Sequence, residues 1–270
     1  IILTGIGGTG VLTVSAITAM AAHYEGKEST ILDMTGLAQK GGAVWSHIKI
    51  YEKNVKTFSH KIAPASANLF LACDAVVGTK PEIQEVLSDK KTYSIINSDT
   101  IPVADFVTNR DLDFKDDEVL KVIDKTTKDI DITVPAIKIA ENLCGDAIAA
   151  NIMMLGAAYQ LGHIPLKEES IKYAIKLNGI GVEKNIYSFN LGRLFAFNPK
   201  DKIFKFLNSF KEKEQTTESV LKDRLERLAI YDKKEIDFFN SKVNFTKDLI
   251  KNELETCLLY TSDAADETER

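Results

Sequence analysis

The chain opens on an apolar run, Ile1 to Ile6, that passes straight into Gly5-Ile6-Gly7-Gly8-Thr9-Gly10 and then into a stretch with helical spacing, Val11 to Tyr24. This reads as strand, glycine turn, helix. Ser29 to Met34 predicts a second strand, followed by a loop, Thr35 to Gly42, whose residue types expose backbone N–H groups. Val44 to Tyr51 alternates, with Val44, Ser46, Ile48 and Ile50 on one side and Trp45, His47, Lys49 and Tyr51 on the other, the pattern of a half-buried strand. Leu69 to Cys73 and Ser94 to Asn97 are short apolar runs suited to buried strands. Lys80 to Ser88, between them, has helical character beginning at Pro81. The order strand, helix, three strands, helix, strand predicts an α/β fold, a Rossmann-like sheet covered by helices.

From Thr133 onward the period becomes helical. Val134 to Leu143, Asp146 to Leu161, Leu166 to Leu177 and Val182 to Phe197 each repeat at about 3.6 residues and end near glycine, asparagine or proline. Residues 1–200 are therefore read as one α/β domain. Residues 201–217, polar and charged from Asn208 to Thr217, read as a linker, and residues 218–256 resume a helical stripe through Leu221, Leu225, Leu228, Phe238 and Phe245. Residues 257–270 are set apart, because Cys257 to Glu267 resembles the in-frame translation of a transposase-based sequencing adapter. With the short first strand and no initial Met, this suggests a piece of a longer chain.

Charge and cysteine usage narrow the function classes. Lys plus Arg number 34 against 39 Asp plus Glu, a formal charge of -5, so no basic excess points to nucleic acid or an anionic membrane. No apolar run approaches the ~20 residues of a membrane span, which makes the cytoplasm the expected location. Cys73, Cys144 and Cys257 form no C-x-x-C pair, and His23, His47, His60 and His163 show no ligand spacing, so no metal is assigned.

Gly5, Gly7 and Gly10 match G-x-G-x-x-G, with Asp33 about twenty residues further on, as a dinucleotide fingerprint requires. Three readings stay open. The glycines serve close packing of helix on strand, or the helix N-terminus takes a phosphate-bearing molecule, or the site is an NAD or FAD site. Asp33 is correspondingly a ribose contact or a strand-end residue capping the next turn.

A longer string adds to this. LDMTGLAQKGGAVWSHI, together with the glycine turn, INSDTIPVADFV, GDAIAANIMMLGAAYQLGHIPL and AIKLNGIGVEKNIYSFNLGRL, resembles the gamma domain of 2-oxoacid:ferredoxin oxidoreductases, within them the fused indolepyruvate type. These stretches cover most of residues 1–200. ERLAIYDKKEIDFFNSKV is similar, more loosely, to the helical region that follows in the fused proteins.

The resemblance implies oxidative decarboxylation of a 2-oxoacid, typically an arylpyruvate, to an acyl-coenzyme A with ferredoxin as electron acceptor. It implies thiamine pyrophosphate and iron–sulfur clusters in domains of the same chain preceding Ile1, so that this piece alone holds neither and is inactive. A homo-oligomer is expected of the complete enzyme. The site residues it points to are Gly5, Gly7, Gly8 and Gly10 in the first loop and Thr35, Gly36, Gln39, Lys40 and Gly41 in the second. Lys40 is placed to meet a substrate carboxylate or a coenzyme A phosphate, with Gln39 as a neutral hydrogen-bond partner, or else is a solvated loop lysine. No catalytic residue is assigned. A purely structural domain, touching no ligand, is the reading from a different class. Trp45 is expected in core or interface, Met153 and Met154 in helix packing, Asn178 and Gly179 at a helix end, and Arg193 paired across a domain interface.

Overall fold

The computed structural model describes residues 1–35, 42–55, 59–99 and 116–208. Gly36, Gln39, Lys40 and Gly41, the string Thr100 to Val107, and the expected linker, helical region and adapter-like tail beyond Asn208 lie outside the described residues. All described residues but Asn208 belong to one compact unit, Ile1–Leu207.

Six strands form one sheet: β1 (Ile2–Ile6), β2 (Glu28–Thr35), β3 (Ala43–Tyr51), β4 (Leu69–Ala72), β5 (Tyr93–Asn97) and β6 (Asp129–Val134), in the order β2-β3-β1-β4-β5-β6. β1, β4, β5 and β6 run parallel, while β3 is antiparallel to both β1 and β2. The helices are α1 (Val11–Tyr24), α2 (Ala75–Gly78), α3 (Pro81–Gln84), α4 (Asp116–Thr126), α5 (Ala136–Ile139, continued by a π turn Ala140–Cys144), α6 (Ala150–Gln160), α7 (Glu168–Asn178) and α8 (Val182–Phe197).

Strand periodicity divides the core between two faces. Leu3, Leu69, Leu71 and Ile95 face one cluster, which α1, α6, α7 and α8 complete; Ile2, Phe70, Ala72 and Ile96 face the other, filled by Ile83, Val86, Leu87 and Ile123. The sheet is thus covered on both faces, and β1, at its centre, is buried throughout. Met153 and Met154 are fully buried, as expected of helix packing. α7 ends at Asn178 with Gly179 left-handed at φ 77°, also as expected.

Three expectations need correction. β3 is buried on both faces at Ser46, His47 and Ile48 rather than half-buried, because it lies between β2 and β1 instead of at an edge. Burial there holds the His47 imidazole neutral, its pKa lowered to about 4 by desolvation and then by Lys61. Arg193 pairs within the unit: its guanidinium meets Glu168 at 2.6 Å and Gln160 at 3.2 Å, and lies over the Tyr159 ring. β6 and α4 were not anticipated. β6 alternates Asp129, Ile130, Asp131, Ile132, and its charges suit an edge strand.

Among the described residues, the closest backbone approach at a glycine is the crossing of α6 and α8. A Cβ on Gly156 would sit 2.0 Å from the Phe189 carbonyl oxygen, and one on Gly192 would sit 1.9 Å from that of Met153. This backbone-to-backbone approach carries α6 down onto the sheet.

Candidate functional site

The parallel strands deliver their C-terminal ends to one edge. From β1 the chain goes first to the β2–β3 hairpin on one side and then to β4 on the other, so β1 and β4 flank a topological switch point, where open α/β sheets bind ligands. The two strands are stitched together there: the Cys73 N–H donates to the Thr4 carbonyl at 3.0 Å, and the Thr4 hydroxyl to the Asp74 carbonyl at 3.0 Å.

The glycine turn follows β1. Gly8 and Gly10 adopt φ of +88° and +90°, the left-handed region that side chains rarely enter, and Gly10 caps α1 with no side-chain bond. Val11 to Val14, the first turn of α1, carries no acidic residue, so the positive end of the helix is not neutralised by its own sequence. Gly7 donates its N–H to the Gly42 carbonyl at 2.8 Å. The loop beginning at Thr35, the exposed last residue of β2, therefore ends against the glycine turn.

Across the crevice stand groups the sequence reading passed over. Asn97, at the end of β5, is buried; its amide donates to the Cys73 carbonyl, and its oxygen accepts the N–H groups of Ala136 and Asp99, all three at 3.1 Å. Asp74 caps α2 through the Val77 N–H at 2.7 Å and is 2% exposed. Burial raises its pKa above the ordinary carboxylate value, against the lowering effect of its backbone hydrogen bonds. Burial likewise pushes the Cys73 thiol far up, then Asp74 further, so Cys73 is an inert core thiol and not a nucleophile. Asn151, on α6, donates to the Thr9 carbonyl at 2.7 Å and to its hydroxyl at 3.2 Å. The signal for Asn151 was present: it interrupts an otherwise apolar buried run, and buried amides need partners.

These groups enclose a cavity of about 90 Å³ lined by Ile6, Gly8, Thr9, Cys73, Asp74, Asn97, Ile148 and Asn151 among others. At ~30 Å³ per water, this is room for about three waters. It suits one small polar group. Asp74 and Asn97 also border a second cavity of about 180 Å³, with Ser98, Asp99, Val119 and Leu120. A larger groove, about 690 Å³, lies at the opposite end of the sheet, beside the strand starts at Ile1, Leu69 and Tyr93. Its position at the N-terminal ends of the parallel strands is the wrong end for a switch-point ligand.

The dinucleotide reading loses its acidic partner. β3 separates β2 from β1, placing Asp33 two strand spacings of ~4.8 Å each from the glycine strand. Its carboxylate accepts the Ser46 hydroxyl at 2.5 Å, and the Ser15 hydroxyl of α1 lies 3.4 Å away. Asp33 thus ties the hairpin to α1, and the turn that follows β2 lies largely outside the described residues.

A family model described as pyruvate ferredoxin/flavodoxin oxidoreductase matches residues 1–195. The chain belongs to this family. Indolepyruvate oxidoreductase subunit IorB of Archaeoglobus fulgidus is 27% identical over 195 residues, 71% of this chain and 92% of that protein. Ketoisovalerate oxidoreductase subunit VorA of Methanothermobacter marburgensis is 29% identical over 194 residues, 72% of this chain but 34% of that protein. Among solved structures, the gamma subunit of a keto/oxoacid ferredoxin oxidoreductase from Geobacter sulfurreducens aligns over 73% of this chain and 96% of its own, with 22% identity and a TM-score of 0.47.

Iron–sulfur chemistry finds no ligand set among the described residues. No three His, Cys, Asp or Glu side chains there converge as for a metal, and the half-buried Cys144 and buried Cys73 stand in separate elements. No helix among the described residues is long and apolar enough to cross a membrane.

Proposed function

We propose that this chain is the gamma-type domain of a cytoplasmic enzyme that oxidatively decarboxylates 2-oxoacids, indolepyruvate or another arylpyruvate foremost, and that its glycine turn and the Thr35 to Gly42 loop together hold an anionic part of coenzyme A. The observation that carries the site is the unneutralised N-terminus of α1, entered through left-handed Gly8 and Gly10 at the switch point, with Gly8 and Thr9 bordering the small cavity there. A phosphate is the kind of anion that such a helix N-terminus would take, with the remainder of the molecule lying outside. A whole dinucleotide would need a pocket nearer ~300–1,000 Å³.

The overall reaction joins a 2-oxoacid, coenzyme A and two oxidised ferredoxins to give acyl-coenzyme A, carbon dioxide, a proton and two reduced ferredoxins. Thiamine pyrophosphate and iron–sulfur clusters, held by partner domains of the same enzyme, would supply the carbon-bond and single-electron chemistry. The part taken by this domain is to bind and orient. The backbone N–H groups of the glycine turn and the Lys40 ammonium hold the anion, Gln39 supplies a neutral hydrogen bond, and Asn97 and Asp74 hold the crevice floor in place. The complete enzyme is a homo-oligomer that delivers electrons to ferredoxin.

In the complete enzyme, Lys40→Ala is expected to raise the KM for coenzyme A about tenfold with a smaller change in kcat, as loss of uniform binding does, and Gln39→Ala to act in the same direction more weakly. Unchanged kinetics in both variants would favour a domain that only holds the enzyme together.

A further inference from the structure

Asn151 reaches the glycine turn from 142 residues away in the sequence, the longest-range side-chain bond made by the turn. Its residue is 6% exposed, on a helix whose other buried members are Ala150, Ile152, Met153, Met154, Leu155, Gly156, Ala157 and Ala158. A lone amide in such a helix is retained against the cost of desolvation, and here both its donor contacts go to Thr9. Thr9 in turn donates its hydroxyl to the Ile6 carbonyl at 2.7 Å, so Asn151, Thr9 and the end of β1 form one chain of hydrogen bonds.

Thr9 lies between Gly8 and Gly10, the two residues with positive φ. Glycine gives those positions freedom in many conformations, and nothing in their own side chains selects one. Backbone N–H groups bind an anion well only when they are already oriented, because ordering them on binding subtracts from affinity. Asn151 clamps the single residue between the two free hinges and lines the same cavity of about 90 Å³. α6 is itself fixed: the Ser188 hydroxyl donates to the Ala149 carbonyl just before it, and the Gly156 and Gly192 contacts seat it against α8.

We infer that Asn151 is a positioning residue that holds the glycine turn in its anion-binding conformation, so that the helical layer of the domain sets the affinity of the site. This rests on the reading of the turn as the coenzyme A contact, and the test separates the two. In the complete enzyme, Asn151→Ala and the isosteric Asn151→Asp, which cannot donate to Thr9 when ionised, are compared with Lys40→Ala. Coenzyme A serves as the varied substrate, and amide hydrogen exchange of Gly8 to Val11 is followed without it.

The expected result is a KM for coenzyme A raised about tenfold in both Asn151 variants with kcat at saturation nearly retained, and faster exchange confined to the glycine turn. If the alanine variant does not accumulate folded, the aspartate variant carries the test. A raised KM in Lys40→Ala with wild-type KM and exchange in the Asn151 variants would overturn the role of Asn151 and leave the coenzyme A reading standing. Wild-type KM in all of them would overturn both. A fall in stability and kcat with unchanged KM would reduce Asn151 to a packing residue.

Discussion

Gly192→Ala is expected to prevent stable folding of the domain. The added methyl would lie 1.9 Å from the Met153 carbonyl oxygen, 2.8 Å from its carbon and 3.0 Å from the Ala157 nitrogen, all backbone atoms of α6. A clash with the end of a flexible side chain is relieved by a rotamer change; here α6 and α8 must move apart. That separation breaks contacts of Met153, Ala157 and Phe189, each fully buried. Overpacking of ordinary core positions costs ~1–3 kcal/mol, and a backbone clash belongs at or above the upper end. Against a typical stability of ~5–15 kcal/mol, this removes a large share. Thermal unfolding of the domain should show a midpoint lowered by about 10 °C or more, or no cooperative transition at all. A variant melting within about 2 °C of the wild type would mean that the helices do not approach this closely.

Asn97→Leu should cause the second large loss, and by a different route. The substitution keeps the number and branching of side-chain heavy atoms but leaves the Cys73 carbonyl and the N–H groups of Ala136 and Asp99 without the partner they have now. Asn97 and Cys73 are both buried, so water replaces these bonds poorly. At ~1 kcal/mol or more for each orphaned group, the expected cost is about 3 kcal/mol. Because Asn97 joins the ends of β4 and β5 to the start of α5 at the crevice, denaturant unfolding should report a lower midpoint with an unchanged slope. Affinity for coenzyme A should fall with it. A loss below about 0.5 kcal/mol would indicate that these groups find other partners.

The parts of the fold legible in the sequence are those in which one period runs uninterrupted. Val11 to Tyr24 and Val182 to Phe197 were bounded as they stand, each entered from a glycine and showing steady helical spacing. β4 and β5 were legible as apolar runs because the sheet is covered on both faces. β6 went unread because charged Asp129 and Asp131 mask Ile130 and Ile132, although the alternation was there to see. Strand order was the deeper loss. The spacing from Gly10 to Asp33 is the same whether β2 lies next to β1 or one strand removed, and only the antiparallel return of β3 between them decides it.

The site was legible as a loop and not as a constellation. A glycine turn is a local signature, whereas Asn97 and Asn151 act through bonds to residues 24 and 142 positions away. Single asparagines give no spacing to read. A polar residue inside a run of nine buried helix positions is nevertheless a question that the sequence poses, and the Thr9 contacts answer it.

The most direct test of the central claim is an anaerobic assay of the complete enzyme for indolepyruvate-dependent reduction of ferredoxin or a viologen dye. The account predicts reduction that requires both coenzyme A and thiamine pyrophosphate, with acyl-coenzyme A and carbon dioxide formed together. Reduction that proceeds equally without coenzyme A, or a reaction that depends instead on NAD or FAD bound at the glycine turn, would contradict it.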